Sequence, residues 1–169
     1  TASVYKYSGK ILNEKSLLKP KSNYAKTKLQ CEKIIRDSKI NSIILRFFNV
    51  CSSLKINNKI VGEFHNPETH LIPTIVYKNL LKKKFFIYGK NYNTIDGTCI
   101  RDYVHISDIC NAIDRSVTYL FKSHKKFQII NIGSSSRNTN MEILQKIEKI
   151  TKVKSLYNIV DRRKGDVDL

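Results

Sequence analysis

A chain of 169 residues, 41% hydrophobic and 27% charged, can build an ordinary globular core, and its 6 Gly and 3 Pro exclude a collagen-like or proline-rich chain. No apolar run approaches the roughly 20 residues of a membrane-crossing helix, and no signal-like segment follows Thr1; with no initiator Met, an internal fragment is expected. The 31 Lys and Arg against 14 Asp and Glu leave a formal charge of +17, but the lysines are scattered and neither an Arg/Gly-rich tail nor zinc-finger spacing accompanies them, so coding bias explains the charge better than nucleic-acid contact.

In chain order, Ser22 is a cap for a helix from about Asn23 to Ser38 that turns Ala25, Leu29 and Ile35 inward. Cys31 and the later Cys51, Cys99 and Cys110 form no C-x-x-C and are read as reduced thiols. Ser42 to Phe48 is a β-branched and aromatic run, a buried strand. His65 and His70 flank Glu68, but that spacing does not stack two ligands on one helical face, so no metal is expected there. A helix from Leu71 to Leu81 tolerates Pro73 in its first turn.

Phe85 to Tyr88 is a short strand ended by Gly89, and Asp102 to His105 is another. Ser107 is expected to cap a helix whose Ile109, Ala112, Ile113, Val117, Leu120 and Phe121 carry the strongest amphipathic pattern in the chain. Phe127 to Ile132 is a strand ending at Gly133, Thr139 and Glu142 form a capping box, and Ser155 to Val160 is a final strand. Such alternation, without repeat or linker, predicts an α/β fold with a largely parallel sheet.

Tyr24 and Lys28 stand four residues apart on the first helix, hence on one face and a turn apart. An ammonium about 4 Å from a phenolate stabilises it by roughly 4 kcal/mol at an effective dielectric near 20. That is about what a phenol needs to serve as a base near neutral pH. Taken alone, the spacing is also what a Lys-rich chain with 9 Tyr produces on a solvated helix face.

Its surroundings change the reading. Thr1-Ala2-Ser3-Val4-Tyr5 precedes it; Leu45-Arg46-Phe47-Phe48-Asn49 and Asp96-Gly97-Thr98-Cys99-Ile100-Arg101-Asp102-Tyr103-Val104-His105 follow. Asn131-Ile132-Gly133 and Arg162-Arg163-Lys164-Gly165-Asp166 come last. In this order these segments resemble the UDP-glucose 4-epimerases of the extended short-chain dehydrogenase/reductase superfamily, over essentially the whole chain. The Tyr/Lys pair marks the superfamily; the Asp-Gly-Thr to Arg-Asp-Tyr-Val-His stretch and the Arg-Arg-x-Gly-Asp turn are more particular to the epimerases.

The resemblance implies part of a Rossmann-like doubly wound parallel sheet plus a smaller C-terminal substrate-binding domain. On it, residues 1–50 are the C-terminal part of the NAD-binding domain, and 51–169 are mainly nucleotide-sugar-binding, with about 101–130 returning to the first domain. It implies Tyr24 as base for the sugar 4-hydroxyl, Lys28 on the nicotinamide ribose, and Thr1 (or Ser3 if the register slips) on the same hydroxyl. Phe48 falls beside the cofactor and Asn49 on the UDP-sugar phosphates; His70 and Leu71 stand in the uridine pocket. The backbone of Phe86, Ile87 and Tyr88 reads the uracil. Arg101 and Arg163 grip the diphosphate, and Lys164, Gly165 and Asp166 complete that turn, with Asp166 on the ribose.

The implied protein is a cytoplasmic, homodimeric isomerase of galactose metabolism with resident NAD and a UDP-sugar substrate, contacting neither nucleic acid nor membrane. There are departures: His70 replaces an amide, Lys6 a Gly and Lys164 a Glu, and no Gly-rich pyrophosphate turn follows a strand. The fragment alone is therefore expected to bind NAD poorly and to be inactive.

Overall fold

Helices and strands alternate along the chain, mostly where the residues supply a local reason. In the computed structural model, which describes residues 1–6, 11–63, 65–122 and 127–162, a 3-10 turn (Ala2–Val4) precedes α1 (Asn23–Asp37), β1 (Ser42–Phe47) and β2 (Asn49–Cys51). There follow β3 (Ser53–Ile56), β4 (Lys59–Gly62), α2 (Leu71–Leu80), β5 (Phe85–Tyr88), β6 (Ile100–Arg101), β7 (Tyr103–His105) and α3 (Ile106–Lys122). The last elements are β8 (Phe127–Ile132), β9 (Asn138–Thr139), α4 (Asn140–Thr151) and β10 (Tyr157–Val160). Among the described residues no helix is long and apolar enough to cross a membrane.

Ser22 caps α1, its Oγ accepting from the Ala25 N–H at 3.1 Å. The capping box opens α4: Thr139 Oγ1 accepts from the Glu142 N–H at 3.1 Å, and Glu142 Oε2 accepts from the Thr139 N–H at 2.8 Å. At α3 the expectation for Ser107 is corrected. Ser107 lies inside the helix, and its N–H donates to His105 Nδ1 at 3.1 Å, so the imidazole supplies the cap. β3 and β4 form a hairpin outside the elements predicted from sequence; Ile56 opposes Lys59 across Asn57-Asn58, and Asn57 takes φ 54°.

The chain divides into two units. Unit 1 comprises Thr1–Val50 and Asp102–Ser135. In it β1 and β8 pair in parallel, from Ser42 opposite Phe127 to Phe47 opposite Ile132, and β2 pairs with β7. α1 packs on β1 and the 3-10 turn, and α3 on β1 and β7. Val4, Ala25, Val104 and Ile109 are buried there. One expectation fails, since Ile35 on α1 is exposed; Ile113, Val117 and Phe121 on α3 are exposed as well. They follow the helical period, but α3 is sealed only at its Ile109 end among the described residues.

Unit 2 comprises Cys51–Arg101 and Ser136–Leu169. β5 and β10 pair in parallel, Phe85 opposite Tyr157 and Tyr88 opposite Val160, while β6 pairs antiparallel with β9. α2 and α4 pack together over β5, enclosing Ile75, Phe85, Ile87 and Leu144, with Leu71, Met141, Ile143, Ile147 and Tyr157 around them. The α/β class read from the alternation is thus what the chain adopts, with parallel pairs in both units.

Candidate active site

In unit 1 the first turns of α1 carry Tyr24 and Lys28. The Ser22 cap fixes where the helix starts, and four residues of helix bring Lys28 Nζ to 5.7 Å from the centre of the Tyr24 ring, over its face. The pair is therefore formed. The Tyr24 ring is 57% exposed, so in this chain solvent screens the ammonium and the phenol is not enclosed.

The same helical stripe continues one turn on to Glu32, and there the sequence reading missed the dominant interaction of the unit. Arg46 on β1 donates from Nε and Nη2 to the two Glu32 oxygens at 3.1 and 2.6 Å, with only 1% of its side chain exposed. Its Nη1 donates to Tyr5 Oη at 2.7 Å, and Tyr5 Oη in turn donates to Asn131 Oδ1 at 2.6 Å. Burial works against the guanidinium charge, but hydrogen bonds to Glu32 and Tyr5 outweigh it and hold Arg46 above its ordinary range. The network ties α1, β1, β8 and the segment after the 3-10 turn together, and so sets the helix that presents Tyr24 and Lys28. An arginine between Leu45 and Phe47 in an otherwise apolar strand was the available signal, because a buried charge needs a partner.

Thr1 caps the 3-10 turn: its Oγ1 accepts from the Ser3 N–H at 3.3 Å and donates to Ser3 Oγ at 3.2 Å. Phe48 donates its N–H to the Ile132 carbonyl at 3.1 Å and lies against Gly133, where an added Cβ would meet Phe48 Cδ2 at 3.1 Å and Asp102 Oδ2 at 2.5 Å. Asn49 is tied to Asp102, whose carbonyl accepts from its N–H at 2.9 Å and from Nδ2 at 3.0 Å. The Asp102 carboxylate accepts from the Ser134 N–H, Ser134 Oγ and the Ser135 N–H, at 3.0, 2.7 and 3.1 Å. In the Arg-Asp-Tyr-Val-His motif, then, Asp102 clamps the turn after β8.

In unit 2 His70 is the residue before α2, and its side chain makes no capping bond. Instead Glu68 Oε1 accepts from the backbone N–H groups of Thr69 and His70, both at 2.8 Å, and His70 Nδ1 meets the carboxylates of Glu63 and Glu68. Burial raises the Glu68 carboxyl, but the backbone donors of His70, Thr69 and His65 more than offset it and hold the group below its ordinary range. Leu71 packs into the apolar cluster. Along β5, Phe86 is 55% exposed whereas Ile87 is enclosed and Tyr88 half-buried, as strand alternation requires. Among the described residues β5 pairs only with β10.

Arg101, half-buried on β6, donates from Nη1 to the Ile100 carbonyl at 3.2 Å. The Asp96-Gly97-Thr98 motif is a turn: Gly97 takes φ 75°, and a Cβ there would lie 2.2 Å from the Lys90 carbonyl oxygen. Asp96 accepts from the Thr98 N–H and Oγ1 at 2.8 and 2.7 Å, and from Thr139 Oγ1. Burial raises the Asp96 carboxyl, but these donors outweigh it and the net direction is down. Arg162 stacks on the Tyr92 ring at 3.8 Å and donates to Asn91 Oδ1 at 2.6 Å, bracing the loop after β5. Arg163, Lys164, Gly165 and Asp166 lie outside the described residues.

The model of the NAD dependent epimerase/dehydratase family matches residues 1–133. The chain belongs to that family. Its curated relatives include the UDP-glucose 4-epimerase of Rhizobium meliloti, 36% identical over 87% of this chain and 45% of that protein. That of Streptococcus mutans is 35% identical over 99% of the chain and 51% of its own length. A crystal structure of a UDP-glucose 4-epimerase superposes with TM-score 0.87 at 31% identity, covering 99% of this chain and 52% of that one. The Brucella ovis UDP-glucose 4-epimerase, solved in complex with NAD, gives TM-score 0.87 at 31% identity. This member of the epimerase/dehydratase family therefore spans about half the length of the curated relatives it matches.

Proposed function

We propose that this chain supplies the Tyr/Lys helix and the nucleotide-sugar-binding half of an NAD-dependent UDP-glucose 4-epimerase, which interconverts UDP-glucose and UDP-galactose through a 4-keto sugar. The observation that carries the reading is the Tyr24–Lys28 pair in a member of this family, with Nζ 5.7 Å from the ring centre. The residues present fit part of the cofactor. Tyr24 and Lys28 offer a hydroxyl and an exposed ammonium suited to a nicotinamide ribose, with Phe48 beside it, while the chain contains no Gly-rich turn for the pyrophosphate. A bound NAD would supply a reversible hydride acceptor for the sugar C4, held at its nicotinamide ribose by Tyr24 and Lys28.

In this reading Tyr24 Oη takes the proton of the sugar 4-hydroxyl and gives it back, while Lys28 lies over its ring, one helical turn away. Thr1 shares the same hydroxyl. Asn49, Arg101 and Arg163 hold the diphosphate while the hexose turns, the Phe86–Tyr88 backbone and His70-Leu71 receive the uridine, and Asp166, which follows Lys164 and Gly165 in the sequence, takes its ribose. The resemblance further supports a cytoplasmic homodimer acting in galactose metabolism. Product analysis of UDP-glucose incubated with the full-length protein tests the reading. UDP-galactose of unchanged mass, with no net cofactor reduction, is expected; a product lighter by one water would replace epimerisation with dehydration on the same scaffold.

A further inference from the structure

The segment that leads from β4 into α2 gathers two carboxylates and two imidazoles. Glu63, His65, Glu68 and His70 each offer one ligand atom, and the four atoms lie within 4.8 Å of one another. The spacing argument that discounted a metal here assumed a helix, but these residues precede α2 and the chain folds them onto one point. We propose that they form a binding site for a divalent transition-metal ion, with zinc as the first candidate.

Four-coordinate zinc holds nitrogen and oxygen ligands at about 2.0–2.2 Å, which separates the ligands by roughly 3.3 Å. Several pairs already have such spacing: His65 Nδ1 lies 3.0 Å from Glu63 Oε1 and 3.7 Å from Glu68 Oε2, and His70 Nδ1 lies 3.4 Å from Glu68 Oε1. The two rings meet edge to face at 61°, with centroids 5.3 Å apart, so their Nδ1 atoms converge without stacking. Both nitrogens approach the same Glu63 oxygen.

The site is also braced and open. Glu68 is oriented by the Thr69 and His70 N–H groups, the kind of outer bond that fixes a metal-binding carboxylate. The side chains of His65 and His70 are more than half exposed, which leaves an entry path. The positive end of α2, equivalent to roughly half an elementary charge, opposes a cation, but two full carboxylate charges outweigh it. Mixed imidazole and carboxylate ligands suit zinc and its neighbours, whereas calcium and magnesium prefer oxygen alone. An ion here would pin the segment entering α2.

Titrating the untagged chain with Zn²⁺ alone against a chromogenic chelator tests this, with Co²⁺ absorption reporting the coordination. One Zn²⁺ per chain is expected, with a visible spectrum of low-coordinate Co²⁺. His65→Ala and Glu63→Gln should each weaken binding about tenfold or more, and His105→Ala should leave it unchanged. The variants sit on exposed or half-exposed positions, so in chelator they should melt as the parent does, and only the parent should gain melting temperature with Zn²⁺. Binding equal in the parent and a His65→Ala/His70→Ala double variant, or no binding by either, would overturn the site. Neither readout uses UDP-sugar or turnover, so a failure here is distinct from a failure of the epimerase reading.

Discussion

In unit 2 Ile75, Phe85, Ile87 and Leu144 form a buried apolar cluster between two helices and a strand. In unit 1 the largest enclosed side chain is Arg46, and the polar chain Glu32–Arg46–Tyr5–Asn131 runs through its interior. Meanwhile Ile34, Ile113, Val117 and Phe121 of unit 1 stand in water, Phe121 at 87% exposure. A shallow groove on the same unit is lined by Ile43, Leu45, Ala112, Ile130 and Ile132. The difference teaches that one unit encloses an apolar cluster while the other encloses a guanidinium held by charge and hydrogen bonds; both leave large apolar side chains in water, Leu80, Ile95 and Ile150 of unit 2 among them. The unit carrying the Tyr/Lys pair is the second kind.

The sharpest way to break that contrast is to exchange the two kinds of interior. Arg46→Met strands Glu32 and removes the donor to Tyr5, and should cost about 3–5 kcal/mol. Ile87→Ala in unit 2 leaves a cavity and should cost about 2–5 kcal/mol. Hydrogen exchange resolved by segment is expected to show the first loss confined to unit 1 and the second to unit 2. Equal loosening of both units by either substitution would contradict the division.

A smaller effect sharpens the comparison through pH. Asp96 is held below the ordinary carboxylate range by Thr98 and Thr139. A group whose folded pKa is depressed adds stability that is present above its unfolded pKa and is lost as pH falls through the folded one. Asp96→Asn should therefore cost about 1–3 kcal/mol at pH 7. The gap between parent and variant should narrow once pH drops below about 4. A gap independent of pH, followed by chemical denaturation between pH 7 and pH 2, would remove the carboxylate from the account.

Much of this was readable from residues alone, for physical reasons. β5 and β8 begin and end where the sequence places them, and the cap at Ser22 and the capping box at Thr139 work as their side chains dictate. The Asn57-Asn58 hairpin carried a legible two-residue turn, and Ser53-Leu54-Lys55-Ile56 alternates polar with apolar, but each strand is only four residues long and largely exposed, too short a run to stand out from a loop. Burial was less legible than structure. Ile35 and the α3 stripe have the right period, yet period says which face is apolar and not whether anything covers it. The Tyr24–Lys28 pair followed from helical spacing, whereas the Glu63–His70 cluster could not, because its members converge through a loop whose path no periodicity encodes.

The most direct measurement is the turnover of UDP-glucose by the full-length protein carrying Tyr24→Phe. Removing one hydroxyl from a ring that is more than half exposed should leave the melting temperature and UDP binding essentially unchanged. Epimerisation should nevertheless fall by about 10²- to 10⁴-fold, the usual contribution of a positioned base. Turnover within a few-fold of the parent would contradict the assignment of Tyr24 as the group that moves the proton.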